Sequence, residues 1–181
     1  MYSYSTQRSI MEDFADPSSE LSRAVAYAMK SIGAPGSALK QEQQAAIQTV
    51  YGGGDVFVWL PTGFGKSICF EVLPFVYDYK LGRAGTPTCS LVLVLSPLVS
   101  LMVNQVTSLR KRGVNSAIIS ASDKIDKTFL ATVHNLSKYG ILFSVPEAIL
   151  GHKWRESVEK PEISERIVAV VVDEAHCVSK W

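Results

Sequence analysis

Apolar positions along this chain follow two rhythms. Short unbroken runs have the length of strands: 56–60 (Val-Phe-Val-Trp-Leu), 91–95 (Leu-Val-Leu-Val-Leu), 117–119, 141–145 and 167–172 (Ile-Val-Ala-Val-Val-Val). Between them, apolar residues recur at the three- and four-residue spacing of helices. Leu21, Val25, Ala28, Met29 and Ile32 predict a helix over 17–32, with Asp16 as cap, Pro17 as first helical residue, and Gly33, Pro35 and Gly36 as its end. A second helix, about 41–51, buries Ala45, Ala46, Ile47 and Val50 and sets Gln41, Gln43 and Gln44 in a polar row. After Lys66, the residues Ile68, Cys69, Val72, Leu73, Phe75 and Val76 predict a helix that Pro74 kinks or ends, followed by a loop over 77–89. Leu98, Leu101, Met102, Val106 and Leu109 place a helix up to about Arg112, closed by Gly113. Arg110, Lys111 and Arg112 then stand where cations favour the helix dipole. A further helix over 123–136 is capped by Ser122 or Asp123, and 151–165, polar and broken by Pro161, reads as surface.

Strands that alternate with helices, most of them apolar throughout, predict an α/β fold with a parallel sheet buried on both faces. The run 167–172 is the clearest case. Right-handed crossovers bring the C-terminal ends of parallel strands to one rim, so residues 61–67, 96–98, 144–147 and 173–176 are expected together.

The composition narrows the class. A length of 181 residues, 47% hydrophobic and 19% charged, describes one folded domain. A net charge of +1 excludes a strongly basic footprint but leaves room for a local groove that binds nucleic acid. Cys69, Cys89 and Cys177 lack metal-ligand spacing and fit a reducing compartment, with Cys69 and Cys177 expected to be buried. No signal peptide is visible and the apolar runs are strand-length, so a soluble protein with no membrane partner is expected, nuclear, or cytosolic if prokaryotic.

The chemistry concentrates after two strands. Leu60-Pro61-Thr62-Gly63-Phe64-Gly65-Lys66-Ser67 follows one apolar run and opens a helical pattern. Gly63 and Gly65 let backbone N–H groups close around a polyphosphate, Lys66 reaches its outer phosphates, and the Ser67 hydroxyl suits Mg²⁺. Leu60 stands where the strict phosphate-loop pattern has its first Gly. Lys66 is expected to face solvent until phosphate arrives. Asp173 and Glu174 follow the last strand directly, as the second half of a Mg²⁺–nucleotide site would: Asp173 for the ion through water, Glu174 for the attacking water. A small-molecule kinase is the competing phosphate-loop reading, but no substrate lid is evident.

The nine residues 173–181, Asp-Glu-Ala-His-Cys-Val-Ser-Lys-Trp, resemble the acidic motif of RecQ-type DNA helicases of superfamily 2. The Cys-x-Ser-x-Trp continuation is the more specific part. Other stretches resemble that family in the same order: Leu39-Lys40 with Gln43 its adenine-reading motif, Pro61 to Ser67 its phosphate loop, Ser96-Pro97-Leu98 to Met102 with Gln105 the motif that grips the DNA backbone, and Ser144-Val145-Pro146-Glu147 the next one. The resemblance runs from about Leu39 to Trp181 and departs from the family at Phe64 (usually Gly), Asn104 (often Asp) and Lys180 (often Gln).

The resemblance implies an ATP-dependent 3′→5′ DNA helicase of which this is the ATP-binding front part. The fold would be a RecA-like P-loop domain, incomplete at its C-terminal end, with 1–37 a lead-in and helix and 38–181 the first motor domain. It implies ATP and Mg²⁺ as cofactors and roles in catalysis for Lys66, Asp173, Glu174 and His176. Nucleotide contacts would fall on Leu39, Lys40, Gln43 and residues 61–67, and metal contacts on Ser67 and Asp173. DNA contacts would fall on Ser96, Pro97, Leu98, Gln105, Ser144, Pro146, Glu147 and Trp181. Single-stranded or partly duplex DNA and a second RecA-like domain are the implied partners, and DNA repair and recombination the implied setting. The 181 residues alone are expected to be marginally stable and near-inactive; the alternative to a helicase is a catalytically dead fragment that binds nucleic acid or protein.

Overall fold

A computed structural model describes residue 14 and residues 16–85, 89–119, 138–149 and 151–176. The expected helix over 123–136, Cys177 and Trp181 lie outside the described residues. The chain divides into two compact units, one up to Ala84 and one from Gly85.

The first unit is helical. Helix α1 (Glu20–Ser31) starts three residues later than the Asp16-Pro17 pair suggested. Asp16 instead accepts hydrogen bonds from the backbone N–H and hydroxyl of Ser18, and Ser19 caps the helix by accepting from the Ser22 N–H at 3.1 Å. Leu21, Ala24, Val25, Ala28 and Met29 form its buried stripe. Helix α2 (Gln41–Tyr51) follows. Helix α3 (Ile68–Glu71) is a single turn, and the chain breaks at Val72 before α4 (Leu73–Lys80). Pro74 sits in the first turn of α4, where its missing N–H breaks no helical bond. The helix therefore extends through 77–80, against the expected loop. Its outer turn is tied to the end of α2: the Tyr77 hydroxyl donates to Val50 O at 2.6 Å, and Lys80 Nζ donates to Tyr51 O at 2.7 Å while lying 4.2 Å from the Tyr51 ring centroid.

The run 56–60 corrects the expected first strand. It carries no strand pairing among the described residues, and exposure alternates along it: Phe57 and Trp59 are 74% and 87% exposed, and Val56, Val58 and Leu60 are half-buried. An apolar run forms a ladder only when neighbours take up its backbone N–H and C=O groups, and none of the described strands does so.

The second unit is α/β: β1 (Leu91–Leu95), α5 (Val99–Lys111), β2 (Ser116–Ile119), β3 (Ile141–Ser144), short helices α6 (Pro146–Ile149), α7 (His152–Val158) and α8 (Pro161–Ser164), and β4 (Ile167–Val172). The four strands form one parallel sheet in the order β2-β3-β1-β4. Both faces of the central pair are covered, since Val92, Val94, Ile141 and Phe143 are as fully buried as Leu91 and Leu142. Helix α5 packs on β2 and β3 through its own buried Met102, Val106 and Leu109. Leu91, Leu93, Ala117, Ile119 and Leu142 form a second layer around Trp154 of α7, which is 2% exposed. That corrects the surface reading of 151–165: one tryptophan on a polar helix anchors it to the core. Arg166 braces the opposite rim, donating Nε to Cys89 O at 2.6 Å and Nη2 to Tyr139 O at 3.1 Å.

Strand β4 departs from the expectation of burial on both faces. It pairs only with β1 among the described residues, and Val170 and Val172 are exposed.

Candidate functional site

The loop 61–67, expected from its sequence to bind phosphate, is built inside the first unit. Phe64 N–H donates to Pro61 O at 3.2 Å, which closes a turn over 61–64. Gly63 and Gly65 take φ of 80° and 87°, a region that admits glycine without strain. A Cβ on Gly65 would also meet Gln43 Nε2 at 3.0 Å. Gln43, buried in the first turn of α2, joins this helix to the loop. Its Nε2 donates to Phe64 O at 3.2 Å and Gly65 O at 3.1 Å, and its Oε1 accepts from the Lys40 N–H at 2.9 Å. Lys40 Nζ lies 3.7 Å from the Phe64 ring centroid and donates to Phe64 O at 3.2 Å. Leu39 is half-buried and its carbonyl accepts from the Gln44 side chain at 3.1 Å. The residues that had pointed to an adenine-reading motif thus meet those of the phosphate loop.

Lys66 differs from its expected solvent-facing state. Its Nζ donates to Leu60 O at 2.8 Å and Pro61 O at 3.2 Å, so the ammonium is held by the loop's own carbonyls. Ser67 stands at the N-cap of α3, and Thr62, earlier in the loop, is exposed. Cys69, one residue into α3, is half-buried, and burial pushes its thiol up to about 11. At the far end of α2, burial first and the Glu20 carboxylate second push the Tyr51 phenol up to about 12.

The carboxylate site belongs to the second unit. Leu95 of β1 pairs with Ser144 of β3 and Val172 of β4, so 96–98, 145–147 and 173–176 emerge at one rim. Asp173 continues the ladder, its N–H donating to Leu95 O at 2.8 Å. Its Oδ1 accepts the Glu174 N–H at 3.1 Å and its Oδ2 accepts Gln105 Nε2 at 3.3 Å. The carboxylate is half-buried and oriented at both oxygens, and each oxygen retains acceptor capacity. An oriented oxygen donor of this kind fits a hard cation such as Mg²⁺ held through water. Glu174 has φ 54°, a left-handed conformation on a non-glycine residue. Its Oε2 lies 3.2 Å from Nδ1 of the exposed His176.

The residues read as DNA contacts separate into two sets. Ser96 and Ser144 are buried, and the Ser144 hydroxyl donates to Val145 O at 3.0 Å. Pro146 is buried as well. Their hydroxyls and ring therefore shape the rim from inside. Leu98 and Glu147 are exposed and Pro97 is half-buried, while Gln105 turns inward to Asp173. Trp154 and Arg166 carried no local sequence signal for their roles; only their long-range partners reveal them.

Comparison with known proteins gives a family model, DEAD/DEAH box helicase, that matches residues 40–181. The chain is similar to a probable ATP-dependent DNA helicase RecS of Bacillus subtilis, 31% identical over 152 residues that cover 80% of this chain and 26% of the relative. It is 36% identical over 148 residues to the ATP-dependent DNA helicase hus2/rqh1 of Schizosaccharomyces pombe, covering 78% of this chain and 10% of that protein. It is 26% identical over 143 residues to the ATP-dependent DNA helicase RecQ of Haemophilus influenzae, covering 78% and 21%. The chain therefore spans about a quarter or less of the length of these relatives.

Proposed function

The chain belongs to the DEAD/DEAH box helicase family, and we propose that it is the ATP-binding front part of a RecQ-type motor that moves 3′→5′ on DNA. The observation that carries the nucleotide reading is the junction of Gln43 with the loop at Phe64 and Gly65. It joins a base-reading residue to a phosphate-reading loop in one rigid turn.

Residues 38–181 form the first RecA-like domain in this reading, and a second such domain completes the motor. Mg²⁺, when bound with ATP, supplies charge neutralisation at the phosphates. The chain's own groups do the rest. The N–H groups of 63–67 and the Lys66 ammonium would hold the phosphates, and Leu39 and Gln43 would position the base. Ser67 of the first unit would offer the metal its hydroxyl, and Asp173 of the second would hold it through water. Glu174 takes the proton of the attacking water, and His176, beside it, holds its carboxylate in place. Single-stranded or partly duplex DNA is the polymer partner. The N–H groups in the first turn of α5, which opens at Val99 beside exposed Leu98, carry no base specificity and suit recognition of the sugar-phosphate backbone. Among the described residues no helix is long and apolar enough to cross a membrane.

The test is Lys66→Ala in the intact protein. Hydrolysis of ATP is expected to disappear while the secondary structure by circular dichroism stays unchanged. Turnover at near wild-type rate in that variant would remove the phosphate-loop assignment.

A further inference from the structure

We propose that Lys40 is a positioning residue for the phosphate loop, acting through Phe64 rather than through the base of the nucleotide. The proposal rests on the nucleotide reading above and assigns Lys40 a different task within it.

One ammonium engages both ends of Phe64. Lys40 Nζ is 3.7 Å from the ring centroid and 3.2 Å from the carbonyl oxygen of the same residue. Gln43 completes the grip, bonding Phe64 O and Gly65 O while its own Oε1 is fixed by the Lys40 N–H. The carbonyls of Phe64 and Gly65 are therefore pinned toward the start of α2. A peptide group is planar and trans, so each pinned C=O aims the N–H of the next residue the opposite way. Those N–H groups belong to Gly65 and Lys66, the donors that a phosphate-binding loop must present. Holding them before the ligand arrives removes part of the ordering cost of binding.

The Phe64 ring has a place in this scheme. A glycine at position 64 would offer Lys40 the carbonyl alone. The aromatic face adds a second hold on the cation, of the kind that contributes a few-fold at exposed sites. The bulky residue in a glycine-rich loop thus serves the loop's own rigidity.

The experiment measures binding of Mg²⁺-tripolyphosphate, which has no base, and of Mg²⁺-ATP, by titration calorimetry on the intact protein. If Lys40 positions the loop, Lys40→Met weakens both ligands by the same factor, about 5–10-fold, for the lost carbonyl bond and ring contact. Phe64→Leu weakens both by about 2–5-fold, and the double variant is no weaker than Lys40→Met alone. Lys40→Arg and Phe64→Tyr keep wild-type affinity for tripolyphosphate, and the circular dichroism of Lys40→Met and Phe64→Leu matches the wild type. Loss confined to ATP, or additive losses in the double variant, would overturn the proposal and leave the nucleotide reading standing. A folded wild-type protein that takes up neither ligand would overturn the nucleotide reading, and the positioning role with it.

Discussion

Gln105 reaches Asp173 from the middle of helix α5, its side-chain Nε2 donating to Oδ2 at 3.3 Å. Its Oε1 is buried without a hydrogen-bond partner among the described residues. The amide is therefore committed on one side and open on the other. Asp173 is oriented by the same helix that opens at exposed Val99, with exposed Leu98 as its N-cap. A group that resembles part of a DNA-gripping motif is thus bonded to the carboxylate assigned to the metal.

Replacing Gln105 by Leu should loosen that carboxylate. Apparent Mg²⁺ affinity in ATP turnover is expected to fall about 10-fold, the low end for loss of a partner that orients a metal ligand. Gln105→Glu, which sets a second negative charge beside Asp173, should alter the Mg²⁺ dependence more than Leu does. A magnesium titration of both variants at saturating ATP decides it, and unchanged midpoints would assign Gln105 a packing role only.

Glu174 separates chemistry from stability. Glu174→Gln keeps shape and hydrogen bonding but loses the basic carboxylate, so nucleotide binding should persist while turnover drops roughly 10²-fold or more. Glu174→Gly removes the strain of φ 54°, worth about 1 kcal/mol for a side chain in the left-handed region. It should raise Tm by about 2–4 °C even as activity is lost. Calorimetric melting next to a turnover assay reads both, and a lower Tm in the glycine variant would show that the conformation is not strained.

Trp154 offers the sharpest test of the second unit's core. Truncation to Ala empties a site bounded by Leu91, Leu93, Ala117, Ile119 and Leu142, at a cost of about 3–5 kcal/mol. Thermal or urea unfolding should register that loss, whereas Trp154→Phe should recover much of it. A change below about 0.5 kcal/mol, usual for exposed positions, would mean that α7 does not anchor there.

Alkaline behaviour follows from Cys69 and Tyr51, whose folded values are pushed up to about 11 and about 12 from 9.0 and 10.0. A raised value favours the protonated form in the folded state. The stabilisation is thus fully present below pH 9 and is lost as pH rises through 9 to 11 for the thiol and 10 to 12 for the phenol. Tm should decline over that range, and Cys69→Ser should flatten the first part of the decline. At pH 8, alkylation of Cys69 by iodoacetamide should run on the order of 10²-fold slower than that of an ordinary thiol, because so little thiolate is present. Peptide mass spectrometry gives the rate at that site.

The sheet was largely legible in the sequence because burial on both faces leaves an uninterrupted apolar run, as in Leu91–Leu95. Residues 56–60 have the same composition but exposed Phe57 and Trp59, since a run announces apolarity and not the presence of partners. Trp154 was missed because its sequence neighbours, His152, Arg155, Glu156 and Glu159, are all solvent-facing charges or polar groups. Loop residues 61–67 and the Asp173-Glu174 pair stand out in the sequence by residue type and by their place after apolar runs. Their fastenings could not: Lys40 meets Phe64 across 24 residues, and Gln105 meets Asp173 across 68.

The position of Lys66 changes how phosphate recognition should be understood. Its ammonium already has two oxygen acceptors, Leu60 O and Pro61 O. In the proposed reading, an arriving phosphate would not meet a bare cation; it would displace two carbonyls, which would then turn to water. Recognition at this lysine would then be an exchange of ligands, with the strength of the new bonds offset by the old. Its heat should be small relative to the number of contacts formed, and selectivity should follow how much better than a peptide oxygen the incoming group is. A dianionic phosphate wins that competition readily, and a neutral oxygen of similar size does not.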